Sequence, residues 1–276
     1  MESLSSSEIV AETESPTSAL GPMPSDPRRI ALIAGVLFLI TFVTSIPAVL
    51  LYHGVLHNPG YVVHAGGNTR VLLGAFLELI LIIANIGTAV VLFPILKRQS
   101  EAMSLAYVAA RLVESAFISA GILCLLAVVT LRRDLAGGPA VPAALETAER
   151  TLVAIHNWTF LLGPGFVVGI GNGLLLGHLM YRSALVPRRM AMLGLVGGPL
   201  VCASGIAVLF DVIQPGSPWQ AVATVPEFAW ELSLGVYLAA NGFRRSSWII
   251  TGEDRIGPVP GGLSPLAPPV RLRDDQ

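Results

Sequence analysis

Six apolar stretches alternate with short polar segments along this chain. A helix that crosses about 30 Å of hydrocarbon needs about 20 mostly apolar residues, and each stretch is about that long. The pattern therefore predicts an all-α fold, a polytopic membrane bundle of six transmembrane helices. The predicted helices are Arg29–Leu51, Arg70–Leu96, Met103–Leu131, Leu152–Met180, Met190–Phe210 and Val225–Phe243.

The two ends of the chain are polar and differ in composition from the apolar part. Residues 1–27 are rich in Ser, Glu and Pro, and residues 247–276 are rich in Pro and Gly, so both predict disordered tails. Residues 28–246 form one predicted transmembrane domain. Overall, 13% of residues are charged, against about 25% in soluble domains. The charge is not gathered on a basic face, which excludes nucleic acid as a partner.

Basic residues lie at the edges of the apolar stretches and predict the orientation. Cytoplasmic loops carry an excess of Lys and Arg. One side holds Arg28, Arg29, Lys97, Arg98, Arg182, Arg188, Arg189, Arg244 and Arg245, and the other holds Arg70, Arg132, Arg133 and Arg150. The richer side is assigned to the cytoplasm, which places both termini there, in a multi-pass protein of the bacterial cytoplasmic membrane.

Four glycines in the fourth predicted helix follow each other at intervals of four. They are Gly165, Gly169, Gly173 and Gly177. Small residues on one face allow close helix approach in lipid, so the stripe predicts packing against the fifth helix, which carries Gly194 and Gly198. Pro164 and Pro199 are expected to kink their helices.

Three charged residues are predicted to lie deep in the second and third helices. Arg111 and Glu114 are three apart, so they share a helix face and can pair. Glu78 is predicted at nearly the depth of Glu114. A structural interpretation makes these residues a neutralised network that clamps two helices together. A functional interpretation makes them a polar site on the path of a substrate or proton.

Further polar residues extend the candidate site. Glu227 and Glu231 are four apart in the sixth helix; if they face the bundle, their like charge favours keeping one carboxyl protonated. The candidate cavity is lined by Glu78, Asn85, His156, Asn172, Glu227 and Glu231. Otherwise the outer interface hydrates Glu227 and Glu231.

The first outer loop carries His53, His57 and His64, a spacing that resembles a zinc site. Gly54, Pro59 and the lack of an acidic or cysteine ligand argue against it, so no metal site and no cofactor is predicted. The chain lacks a His-Glu-x-x-His, Gly-x-Ser-x-Gly, Walker A or dinucleotide motif. No catalytic residue is therefore assigned, and the absence of these motifs argues against an enzyme.

Five short segments, taken in order, carry a resemblance to a known family. They are Phe93-Pro94-Ile95-Leu96-Lys97-Arg98, Tyr107-x3-Arg111-x2-Glu114, Leu162-Gly163-Pro164, Tyr181-Arg182-Ser183 with Val186-Pro187-Arg188, and Pro226-Glu227-x3-Glu231 ending at Gly242-Phe243. Together they resemble a bacterial multi-pass family known as domain of unknown function 4386, over about Arg28 to Arg245. The resemblance implies a helical membrane fold in bacteria and transfers no activity and no catalytic residue.

Three classes of function follow from these features. The first is a membrane protein that binds or moves a small molecule or ion through an intramembrane polar cavity. The second is a non-catalytic scaffold or accessory protein whose buried charges only specify helix packing. The third is an intramembrane enzyme that acts on lipid, which ranks last because no nucleophile and base share a depth. The lipid bilayer is the predicted partner, and the sequence does not determine the oligomeric state.

Overall fold

The computed structural model describes residues 26–58, 60–63, 68–135 and 142–251, and all regular secondary structure in these ranges is helical. The α-helices are α1 (Pro27–His57), α2 (Thr69–Leu96), α3 (Glu101–Leu135), α4 (Pro142–Leu162), α5 (Gly177–Ser183), α6 (Arg188–Leu209), α7 (Pro218–Asn241) and α8 (Trp248–Thr251). Two π-helical segments, Gly163–Val167 and Gly169–Leu176, connect α4 to α5. These four elements make one continuous rod.

Helices are present at all six predicted positions, but several begin earlier than their apolar stretches. α7 begins at Pro218 rather than Val225, because Ser217 caps it by accepting a hydrogen bond from Gln220 N at 3.4 Å. Proline also suits a first helical position, where its φ is already helical and no N–H is needed. α4 likewise begins ahead of Leu152. Apolarity marks the part of a helix that crosses lipid and leaves out its polar ends.

Five helical segments are long and apolar enough to cross a membrane: Pro27–His57, Thr69–Leu96, Glu101–Asp134, Ala143–Ser183 and Arg188–Leu209. Large apolar side chains also point outward from them, with Leu50 71% and Ile83 69% exposed. A soluble protein rarely leaves so much apolar surface uncovered, whereas lipid covers it readily. The protein is thus an integral membrane helical bundle, which confirms the predicted fold class.

α7, the predicted sixth span, is not among these five segments. It has 24 residues, about 36 Å at 1.5 Å per residue, so its length is sufficient. Its composition is less apolar than that of the five segments, because Glu227 and Glu231 lie near its middle. A membrane crossing by α7 stays a prediction.

The long helices close into a ring within the described ranges. α1 packs on α2, α2 on α3, α3 on α4, the second π segment on α6, α6 on α7, and α7 on α1. The contact between α1 and α7 is close because a Cβ on Gly35 would come within 2.7 Å of the Gly235 carbonyl oxygen. Phe42 and Phe228 add an edge-to-face contact with 5.0 Å between ring centroids.

The glycine stripe meets α6 along most of its length. A Cβ on Gly169 would lie 2.7 Å from the Gly198 carbonyl oxygen, and one on Gly173 would lie 2.8 Å from Gly198 N. A Cβ on Gly177 would be 3.5 Å from the Ala191 carbonyl oxygen. Gly165 differs, because a Cβ on Gly165 would lie nearest to atoms of the same rod and not to α6. Three of the four glycines therefore allow the rod and α6 to approach closely.

The two prolines expected to cause kinks have different surroundings. Pro164 lies at the start of the first π segment, where the backbone ladder changes from i→i+4 to i→i+5 bonding. A proline donates no N–H, which is consistent with a change of ladder there. Pro199 lies inside α6, which is α-helical from Arg188 to Leu209.

The predicted cytoplasmic end of the ring is closed by the segment that follows α7. Arg244 N donates to the Leu185 carbonyl oxygen at 2.8 Å, and Ser247 Oγ donates to the Ser183 carbonyl oxygen at 2.7 Å. The apolar side chains buried there are Leu185, Val186, Phe243 and Ile249. Residues 247–251 were assigned to the C-terminal tail from sequence, whereas here they include α8. The rest of the two predicted tails, residues 1–25 and 252–276, lies outside the described residues.

The opposite end is organised by a buried carboxylate near the start of α4. Glu149 accepts hydrogen bonds from Tyr61 N at 3.1 Å and Val62 N at 3.0 Å. The Arg132 guanidinium lies over the Tyr61 ring, 4.5 Å from its centroid. Glu149 and Arg132 thus hold the turn between α1 and α2 against the ends of α3 and α4.

Candidate functional site

Two groups of polar side chains lie inside the ring. We call the first the central cluster; it comprises Asn85, Arg111, Glu114, Asn172, Glu227 and Glu231. We call the second the outer cluster; it comprises Tyr52, Glu78 and His156. The two clusters share a face of α2, because Glu78 and Asn85 are seven residues, or about two helical turns, apart.

An ion pair inside α3 forms the base of the central cluster. Arg111 Nη1 and Glu114 Oε2 are 2.7 Å apart, and Arg111 is only 2% exposed. Asn85 on α2 bridges the pair, since its Nδ2 donates to Glu114 Oε1 at 3.1 Å and its Oδ1 accepts from Arg111 Nη2 at 2.5 Å. The pair expected from the three-residue spacing is therefore present. The side chain that joins it to α2 is Asn85.

A second contact of the central cluster connects the rod to α7. Asn172, in the second π segment, donates through Nδ2 to Glu231 Oε1 at 2.5 Å. Its backbone carbonyl accepts a hydrogen bond from Trp230 Nε1 at 2.9 Å. Two neighbouring residues of α7 therefore hold the same residue of the π segment.

Glu227 is the carboxyl group of the central cluster that has no hydrogen bond within the described ranges. It is 3% exposed, and neither of its oxygens has a hydrogen-bond partner among the residues that the structure describes. Space for it comes from Gly173 and Gly197, since a Cβ on either would lie 2.8 Å from Glu227 Oε2. A buried carboxyl without a partner is rare in proteins, because its desolvation is not offset by a hydrogen bond.

The charges of the central cluster do not balance if every carboxyl group is ionised. Arg111 interacts electrostatically with Glu114 and Glu231, and Glu227 interacts with Arg111, Glu114 and Glu231. One guanidinium thus faces three carboxyl groups. Each unpaired buried charge is destabilising by several kcal/mol. The cluster is therefore suited to retaining protons or binding a cation.

The outer cluster joins α1, α2 and α4. Tyr52 Oη donates to Glu78 Oε2 at 2.8 Å, and the Tyr52 and His156 rings meet edge to face with 5.8 Å between centroids. A cavity of about 10 Å³ is lined by Glu78, Ile118, Gly121, His156, Thr159, Phe160 and Pro164. A cavity of that size holds about one water molecule.

The structure separates residues that the sequence analysis placed in one network and one cavity. Glu78 bonds to Tyr52 rather than reaching Arg111, and the cavity beside it includes His156 but not Glu227 or Glu231. The alignment of α1 along α2 explains this separation, because it places the Tyr52 hydroxyl group next to Glu78. Tyr52 and Trp230 were missed because aromatic residues in apolar stretches look like lipid-facing or core residues.

His53 and His57, predicted in a loop, lie in the last turns of α1 and show no metal arrangement within the described ranges. The rings of His53 and His57 are stacked with 4.5 Å between centroids, and His57 Nδ1 lies 3.2 Å from the His53 carbonyl oxygen. His64 lies outside the described residues. No group of three His, Cys, Asp or Glu side chains suited to a metal ion occurs in the part of the chain that is described.

Most of the chain matches a known protein family. The family model described as a domain of unknown function, DUF4386, matches residues 33–242. The match includes every residue of both clusters. No curated protein and no solved structure matches the chain.

Proposed function

The chain belongs to the DUF4386 family, and we propose that this integral membrane protein binds a proton at its central cluster and moves it within the bilayer. The observation that carries the proposal is Glu227, a buried carboxyl group whose two oxygens have no partner among the described residues. Arg111 is already bonded to Glu114 and Asn85. Neutralising Glu227 therefore calls for a proton or another cation.

The proton is the cation that the surroundings of Glu227 favour. Gly173 and Gly197 pack directly against this carboxyl group. The cavity next to Glu78 is not lined by any residue of the central cluster. A proton needs no space beyond the carboxyl group itself, whereas a metal ion or an organic cation needs several ligands at a distance.

We place the protein in the bacterial cytoplasmic membrane with six crossings and both termini in the cytoplasm. This proposal is based on the arginine distribution. In this orientation the end sealed by α8 faces the cytoplasm, and the end that carries the outer cluster faces outward.

Carbodiimide labelling tests proton binding. Dicyclohexylcarbodiimide reacts with protonated carboxyl groups in apolar surroundings, so we expect Glu227 or Glu231 of the full chain to be modified. Labelling measured by peptide mass spectrometry between pH 5 and 8 should fall as pH rises, because the reactive form is the protonated one. Glu101, exposed at the start of α3, is the control and should stay unmodified. Absence of labelling at Glu227 and Glu231 across this range would reject proton binding.

A scaffold role is the second candidate, and the closed cytoplasmic end favours it. The backbone bonds to Leu185 and Ser183, together with the buried Ile249, leave the described part of that end well packed. A scaffold requires the central cluster only for helix packing. It predicts that carbodiimide labels neither Glu227 nor Glu231 between pH 5 and 8.

A further inference from the structure

A second cavity opens between the end of α1 and the middle of α4. Its volume is about 310 Å³. Val55 and Val153 give it apolar walls, and His57, Arg150 and Asn157 contribute polar groups. We call it the outer cleft, because it lies at the end of the bundle assigned to the outside. It is large enough for several water molecules.

His156 and Asn157 are adjacent on α4 and line different cavities. Asn157 lines the outer cleft, and Asn157 Oδ1 lies 3.5 Å from His156 Nδ1. The imidazole itself lines the small cavity together with Glu78 and Gly121. The contact between these two side chains thus links the wide cleft to a cavity with room for about one water molecule.

We propose that His156 transfers protons between the outer cleft and Glu78. In one transfer, a ring nitrogen of His156 takes a proton from a water molecule that enters past Asn157 from the outer cleft. The other ring nitrogen releases its proton to the water in the small cavity, and that water passes one of its own protons to Glu78. The imidazole ends neutral, the water is regenerated and Glu78 gains one proton.

The contacts of Glu78 suit this acceptor role. Its Oε2 accepts the Tyr52 hydrogen bond, and its Oε1 has no hydrogen bond from the residues that the structure describes. The titratable groups that face the path are Tyr52 on α1, Glu78 on α2 and His156 on α4. α3 contributes Ile118 and Gly121, which carry no charge. At the cleft, Glu149 is already bonded to two backbone N–H groups, and Arg150 and His57 line the rim.

The face of α3 that lines the small cavity continues towards the central cluster. Gly121, Ile118, Ser115 and Arg111 follow each other at intervals of three or four residues, so they share this face. The Ser115 hydroxyl is buried and has no partner within the described ranges. The path thus leads from Glu78 towards Arg111 and Glu114, and this last step rests on the proposed function.

Labelling of Glu78 tests the path separately from the central cluster. The full chain is reconstituted in liposomes with known orientation, the pH is set independently on each side, and carbodiimide modification of Glu78, Glu227 and Glu231 is measured by mass spectrometry. We expect Glu78 labelling to follow the outer pH and to ignore the inner pH.

Two substitutions interrupt the path in different ways. His156→Gln removes the ring that exchanges protons. Gly121→Ala places a methyl group 2.9 Å from Thr159 Oγ1 and 3.3 Å from His156 Cδ2, which narrows the small cavity. Each should slow the response of Glu78 to outer pH at least tenfold. Gly165→Ala, whose Cβ meets nothing closer than 3.4 Å, and Glu101→Gln are the matched controls and should behave like the unchanged protein.

The outcomes separate the two proposals. Glu78 labelling that follows inner pH, or that is the same in His156→Gln and Gly121→Ala as in the controls, overturns the path. An unlabelled Glu78 also overturns it, whatever happens at Glu227. Glu78 labelling that follows outer pH, with Glu227 and Glu231 both unlabelled, supports the path and rejects proton binding at the central cluster.

Discussion

Arg111 is the residue on which the charge balance of the interior depends. Its guanidinium bonds to Glu114 within α3 and to Asn85 on α2, and it interacts electrostatically with Glu231 on α7. A buried arginine has lost its hydration, so these contacts offset its desolvation rather than adding a large net stability. Removing it is a different matter, because the carboxyl groups would remain buried without a positive charge.

We therefore expect Arg111→Leu to lower the free energy of unfolding by about 3–5 kcal/mol, the range found when one partner of a buried pair is removed. Adding Glu114→Leu should restore part of the loss, since the unpaired carboxylate is then gone. The effect of Glu78→Leu should simply add to that of Arg111→Leu, because Glu78 is bonded to Tyr52 and not to Arg111. Unfolding in mixed micelles at increasing SDS fraction measures the three single variants and the two double variants. Additivity of Arg111→Leu with Glu114→Leu would show that this pair is not coupled.

At the level of single residues, local contacts were predictable and contacts between helices were not. The bond between Arg111 and Glu114 follows from helix geometry, in which residues three apart are neighbours. The bonds from Tyr52 to Glu78 and from Asn172 to Glu231 depend on how helices are aligned along their axes. That alignment is set by many apolar contacts at once. It cannot be predicted from the spacing of residues within one helix.

Among the elements, the rod from α4 to α5 differs most from a regular helix. Its two π segments include Gly165, Gly169, Gly173 and Asn172. Wider π turns are frequent at functional sites, and here they present Asn172 to α7 while Gly169 and Gly173 face α6. The stripe predicted a close helix contact from its spacing. The π-helical segments could not be predicted in the same way, because Pro164 is the one sequence feature that points to them.

The glycine stripe gives a prediction at this scale. Gly173→Ala should lower the apparent melting temperature in detergent, corresponding to about 1–3 kcal/mol, because its Cβ meets Gly198 N and Glu227 Oε2 at 2.8 Å. The backbone of Gly198 cannot move aside as a flexible side chain can. Gly165→Ala is the matched control and should change stability little. Equal effects of the two substitutions would contradict the packing contact described for Gly173.

For the whole molecule, the orientation in the membrane decides which cluster faces which compartment. α8 and the Arg244–Leu185 contact lie at one end of the ring, and the turn held by Glu149 lies at the other. The arginine distribution assigns the first end to the cytoplasm. The number of crossings depends on α7, whose two glutamates weaken its hydropathic signal.

Reporter fusions test this orientation. An enzyme that is active only outside the cytoplasm should be active when fused after Asn58 or Gly216, and inactive when fused after Arg98 or Arg245. The reason is that α2 and α7 each carry the chain back across the bilayer. Activity at Arg245 together with Gly216 would mean that α7 does not cross. The fully reversed pattern would invert the assigned orientation.

Closure of the ring through α1 and α7 also determines when the molecule can finish assembling. Gly35 packs against Gly235 and Ala239, which are synthesised about 200 residues later, or about 10–40 s at about 5–20 residues per second. During that interval α1 is in the membrane without one of its two neighbours. Its glycine face is then open to lipid or to a helper protein. The nascent chain is therefore most vulnerable to wrong helix partners just before its last long helix emerges from the ribosome.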